Sequence, residues 1–90
     1  MNDVVEKAIE TFGEEMQTFI AIEEMAELMK ELSKKMRGST NKDSIIEEIA
    51  DVYIVLNELM IMNGIDLNDV VNVMNSKLER LNERLKDESV

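Results

Sequence analysis

The chain contains no cysteine, no histidine, no proline and no tryptophan. Without cysteine there is no disulfide and no thiolate metal site, which fits a reducing compartment. Without histidine, both the usual zinc ligand and the usual general base are missing. Glycine occurs only at Gly13, Gly38 and Gly64, so the backbone has few points at which a helix is told to stop. Aromatics are limited to Phe12, Phe19 and Tyr53, which leaves a base-stacking platform hard to name. Strand-type alternation of aromatic and β-branched residues is also missing. The longest apolar-rich run, ADVYIVLNELMIM, carries Asp51, Asn57 and Glu58 and is too short to cross a bilayer. The opening MNDVVEKAIE lacks the basic-then-apolar pattern of a signal region, so a soluble cytoplasmic protein is expected.

Acids and helix formers dominate what remains. The 90 residues hold 20 Asp and Glu against 10 Lys and Arg, a net charge of −10. That balance argues against nucleic-acid backbones and anionic membranes as partners. A phosphate-bearing ligand would need the local sign reversed, which a divalent cation does. A chain of this length is one domain, residues 1–90, and buries only about 60% of its unfolded surface. Oligomerisation is a standard remedy for so small a core.

The pattern predicts an all-α fold: a helical hairpin plus a further helix, with a four-helix-bundle-like core completed by oligomerisation. Residues 1–12 read as an N-terminal extension or short helix. A second helix is expected from about Glu14 to Arg37. The loop Gly38-Ser-Thr-Asn41 follows, with Thr40 or Asn41 as cap. A third helix spans about Lys42 to Met62 and closes at Asn63-Gly64. Asp66 caps a fourth that runs to about Lys86, leaving residues 87–90 as a frayed tail.

Two segments echo each other: IEEMAELM at 22–29 and IEEIADVY at 46–53. At 100° per residue, Ile22, Met25, Ala26, Met29, Leu32 and Met36 share one face of the second helix, with Glu23, Glu24, Glu27 and Glu31 opposite. Met16, Phe19 and Ile20 lie on the acids' side, so the first half of that helix reads as sandwiched. In the third helix, Val52, Val55, Leu59 and Met62 form a stripe that reaches back to Glu48, with Asp51 on its flank. An acid heading an apolar stripe is costly to bury unless paired or bound to metal. Glu47 and Glu58 read as solvated. In the fourth helix, Leu67, Val70, Val71, Met74, Leu78, Leu81 and Leu85 form one stripe, and Lys77, Arg80 and Arg84 another.

A hairpin turning near Gly38 sets Glu24 level with Asp51 and Glu27 level with Glu48, because both pairs are centred on position 37.5. The i, i+3 partners on each helix are about 4.5 Å apart in rise, so four carboxylates converge. Oxygen ligands without His or Cys select Mg²⁺ or Mn²⁺. A di-iron bundle would need Glu-x-x-His on two helices, which this chain cannot supply. The competing reading is two ordinary solvated faces, since Glu is so frequent here that one E-E-x-x-E carries little.

At these residues the sequence resembles the MazG-like all-α nucleoside triphosphate pyrophosphohydrolases, a family related to the dimeric dUTPases. The signature is E-E-x-x-E followed by E-x-x-D, here Glu23-Glu24-Met-Ala-Glu27 and Glu48-Ile-Ala-Asp51. Gln17 lies upstream in an E-x-Q context, and Asn75-Ser-Lys77-Leu-Glu-Arg80 is similar to the N-x-K-x-x-R segment of the last core helix. The similarity covers about residues 12–84. It implies Mg²⁺-dependent cleavage of an NTP or dNTP between the α- and β-phosphates, giving the monophosphate and pyrophosphate. It further implies Glu24, Glu27, Glu48 and Asp51 as metal ligands, with Mn²⁺ as a possible substitute ion. Glu23 is implied as an additional ligand or catalytic base, and Asn75, Lys77, Arg80 and Gln17 as substrate contacts. A homodimer or homotetramer with sites completed by neighbouring chains is also implied. Two other readings stay open: a non-catalytic helical dimerisation module, and a nucleotide-binding regulator that has lost turnover.

Overall fold

The computed structural model describes residues 1–88, and the end of the 87–90 tail expected to fray lies outside the described residues. Four helices account for nearly all of them: α1 (Asn2–Phe12), α2 (Glu14–Met36), α3 (Lys42–Met62) and α4 (Leu67–Glu88). No strand occurs among the described residues, so the fold is all-α, as the composition implied. The α4 helix includes Asp87 and Glu88, two residues beyond the expected end.

The helix ends follow from local chemistry. Gly13 breaks α1 from α2 at φ 90° and ψ 155°, a conformation that glycine adopts and that a Cβ disfavours. At Gly38 (φ 73°) the α2 terminus closes with the Ser39 amide donating to the Lys34 carbonyl at 2.9 Å and the Gly38 amide to the Lys35 carbonyl at 2.9 Å. Asn41 caps α3, its Oδ1 accepting from the Ser44 amide at 2.9 Å. The same type of closure recurs at the end of α3, where the Ile65 amide donates to the Met60 carbonyl at 2.9 Å. Asp66 Oδ1 then accepts from the Asn68 amide at 2.8 Å to open α4.

The helices α2 and α3 form the antiparallel hairpin, and α1 crosses both. Val5 anchors α1, and Asn57 Nδ2 donates to Asn2 Oδ1 at 2.9 Å. The hairpin seam is unusual in its makeup. On α2 it consists of Gln17, Ala21, Glu24, Leu28 and Glu31, all buried or half-buried; on α3, of Glu48, Asp51, Val52, Val55 and Glu58. Ala21 is fully buried and Val55 nearly so. The Met-rich face of α2 points outward instead, leaving Ile22, Met29 and Met36 exposed. Glu58, expected to be solvated, is 96% removed from solvent. It lies two turns beyond Asp51 on the same face of α3, so the seam captures it.

Helix α4 has no buried residue and makes at most a marginal contact with the other helices. The described chain spans 55 × 37 × 19 Å with a radius of gyration of 16.7 Å. A compact chain of this length would measure about 12 Å. The expected stripe of α4 therefore has no core to join within one chain: Leu67, Met74, Leu78 and Leu81 are all exposed.

Candidate metal centre

The hairpin register brings Glu24, Glu48 and Asp51 together, with one carboxylate oxygen from each within 4.8 Å of the others. All three are half-buried. They reach one point because Glu24 sits level with Asp51 across the seam, and Glu48 lies one turn from Asp51 on α3. Glu27 is exposed and stands outside this trio, near enough for its charge to act on both Glu24 and Glu48. Glu23 is exposed beside Glu24.

Electrostatics in this corner are unfavourable without a cation. Burial lifts the Glu24 carboxyl above its usual range, and a hydrogen bond to Asp51 and the charges of Asp51, Glu48 and Glu27 lift it further. Glu48 is lifted chiefly by burial, then by Asp51, Glu27, Glu31 and Glu47. Its Oε2 is shut off from solvent with no hydrogen-bond partner. A buried, partnerless carboxylate oxygen on a residue clustered with two other carboxylates is the arrangement a cation relieves. The donor set is all oxygen, which suits a hard divalent ion.

Further along the seam, Glu31 is engaged elsewhere, accepting from Thr40 Oγ1 and lying 3.6 Å from Lys34 Nζ. In the other direction, beyond Ala21 and Val55, Gln17 meets Glu58. With the carboxamide turned so that Nε2 faces the carboxylate, Gln17 donates to Oε1 at 2.8 Å and to Oε2 at 3.2 Å. Burial raises the Glu58 carboxyl above its usual range. The signal for this pair was present in the numbering, since 17 and 58 share the midpoint of 24 and 51.

The structure does not bring Asn75, Lys77 and Arg80 to the carboxylates. All three are exposed on α4. Lys77 borders a shallow groove with Ile65, Asp69 and Met74, and Arg80 another with Ser76 and Glu83. Among the described residues neither cation forms an ion pair, and Glu83 pairs with Lys86 at 3.3 Å. No helix among the described residues is long and apolar enough to cross a membrane.

Comparison with known families gives one match: residues 12–85 fit the MazG nucleotide pyrophosphohydrolase domain. That range takes in α2, α3, most of α4 and the last residue of α1. No significant match was found among curated proteins or among solved structures.

Proposed function

The chain belongs to the MazG nucleotide pyrophosphohydrolase domain family, and from that premise we propose that it hydrolyses a nucleoside or deoxynucleoside triphosphate between the α- and β-phosphates. The observation that carries the reading is the partnerless buried Oε2 of Glu48, set against Glu24 and Asp51 in an all-oxygen trio. In this reading residues 1–90 form a single domain of the family, with α1 as an N-terminal addition.

Glu24, Glu48 and Asp51 would hold Mg²⁺ or Mn²⁺, with Glu27 drawn in as a further ligand. The ion, when bound, offsets phosphate charge and activates water for in-line attack. Glu23 accepts the proton of the attacking water, since the chain has no histidine for that task. The water oxygen bonds to one phosphorus of the α–β anhydride. The bridging P–O bond breaks, and its electron pair leaves with the departing phosphate group, giving the nucleoside monophosphate and pyrophosphate. Asn75, Lys77 and Arg80 bind the phosphates, with charge-assisted hydrogen bonds from the two cations.

Within one chain α4 stands away from the trio, so in this reading the phosphate-binding residues come from a second copy. The exposed apolar stripe of α4 and the outward Met face of α2 would supply the contact, forming a homodimer or homotetramer. The cell compartment proposed is the cytoplasm.

The test is a panel of NTPs and dNTPs with Mg²⁺, with products identified. Monophosphate and pyrophosphate from wild type, lost in Glu48→Ala, support the reading. A protein that turns over no nucleotide, yet melts higher with Mg²⁺ through Glu48, is a nucleotide-binding regulator instead. If Glu24→Ala, Glu48→Ala and Asp51→Ala all leave metal response unchanged, the site does not exist.

A further inference from the structure

Gln17 and Glu58 are the only polar residues that the described chain buries outright, at 5% and 4% exposure. They face each other across the same seam that holds the carboxylate trio. Gln17 is seven residues from Glu24 along α2, and Glu58 is seven from Asp51 along α3. Seven residues are about two helical turns and return nearly to the same face. Between the two polar layers the seam holds the apolar side chains of Ala21, Val52 and Val55. Small apolar side chains of this kind tolerate sliding and give little preference for one register over the next. A buried hydrogen bond to a carboxylate is directional and is lost on a one-turn slip. Such polar pairs in helical seams fix register at some cost in stability.

We propose that Gln17 and Glu58 are positioning residues for the metal centre: their hydrogen bond pins the α2–α3 register that sets Glu24 level with Asp51. A slip of one turn moves one helix about 5.4 Å past the other and separates the trio. This gives the Gln17 carboxamide a role inside the seam, in place of the substrate contact that resemblance implied. The inference rests on the trio being a cation site, and its test separates the two claims.

Gln17→Met/Glu58→Met replaces the polar pair with apolar side chains of similar length. Exchange of a buried polar pair for apolar residues is often neutral or stabilising, so the melting temperature should hold or rise. Mn²⁺ affinity, read by the electron paramagnetic resonance of free Mn²⁺, should fall on the order of tenfold, the scale seen when groups supporting metal ligands are lost. Independently of metal, spin labels at Lys30→Cys and Asp43→Cys report the register, since the chain has no other cysteine. Their distance distribution should broaden or shift in the Met/Met background. The exchanged pair, Gln17→Glu/Glu58→Gln, should restore both readouts. Unchanged affinity and unchanged distances in Met/Met overturn the proposal. So does a Met/Met protein that fails to fold, because the pair is then a source of stability rather than of register. If wild type binds no Mn²⁺, the cation site falls, while the label distances still decide whether the pair sets the register.

Discussion

Glu24 and Asp51 stand opposite each other across the α2–α3 hairpin, each with a carboxylate oxygen within 4.8 Å of the other's, although both are acids. Burial, with the neighbouring charges of Asp51, Glu48 and Glu27, holds the Glu24 carboxyl above its usual range. The same corner contains the partnerless Oε2 of Glu48. As the proposed cation site, this cluster would trade stability of the empty fold for affinity toward the ion.

Glu24→Gln should therefore stabilise the empty protein and weaken the loaded one. The amide can donate to Asp51 and removes one negative charge from the cluster. We expect a higher melting temperature than wild type in EDTA, and Mg²⁺ or Mn²⁺ affinity lower by at least about tenfold. Paired thermal melts with and without metal measure both effects. A variant that melts lower than wild type in EDTA contradicts the account.

The pH dependence has the opposite sign from that of a salt-bridged acid. Glu24 and Glu48 are held above the ordinary value of 4.5 in the fold, each chiefly by burial, whereas at Glu58 the two hydrogen bonds donated by Gln17 favour the charged form and oppose the lift from burial. A raised folded value favours the protonated native state. Its contribution is complete below pH 4.5 and is lost as pH climbs through the raised values. Metal-free protein should thus melt higher near pH 5 than near pH 8. The net charge of −10 adds self-repulsion in the same direction. Saturating Mg²⁺ should shrink the difference or reverse it, because ligands bind metal only when deprotonated. Melting curves across this range, with and without Mg²⁺, check the sign.

Much of this arrangement was legible in the sequence. Gly38 and Gly64 marked the turns, and the common midpoint of 24 and 51 suggested the register, because a hairpin that turns near Gly38 pairs positions equidistant from it. Periodicity alone failed at Glu58. Its charge assigned it to the wet side, whereas its spacing from Asp51 assigned it to the seam, and packing followed the spacing. The outward Met face of α2 was misleading in the reverse sense. Ile22, Met29 and Met36 read as a core stripe, yet the hairpin buries the opposite face, since the chain alone has nothing to lay on the first. Pattern reports which faces are apolar; it does not report whether the same chain covers them.

Lys77 and Arg80 provide a separate test of the phosphate-binding assignment. Neither is in an ion pair among the described residues, so their removal should cost the fold little. A hydrogen bond to a charged group contributes about 1.5–3 kcal/mol. If they contact phosphate, Lys77→Ala and Arg80→Ala should each raise KM by roughly tenfold or more, since about 1.4 kcal/mol is one decade. The melting temperature of the nucleotide-free protein should stay within about 2–4 °C of wild type, since exposed positions change stability by about 0.5 kcal/mol or less. Steady-state kinetics beside thermal melts separate the outcomes. An unchanged KM in both variants would remove α4 from the phosphate site.

In the proposed reading, helix α4 ties catalysis to assembly. It supplies 22 residues of helix and buries none of them. A lone helix of that length is marginal in water unless an amphipathic face is packed. Its stripe through Leu67, Met74, Leu78 and Leu81 is exposed in one chain. A second copy laid along that stripe would shield the leucines and bring Lys77 and Arg80 towards a trio they do not reach alone. A charge on the stripe should break both effects at once. For Leu78→Glu we expect sedimentation at the mass of one chain, loss of far-UV helical signal up to the share of α4, and loss of turnover, while Glu24, Glu48 and Asp51 remain intact. Wild type that sediments as one chain at micromolar concentration with full helical signal would show that α4 stands alone, and the assembly reading would fall with it.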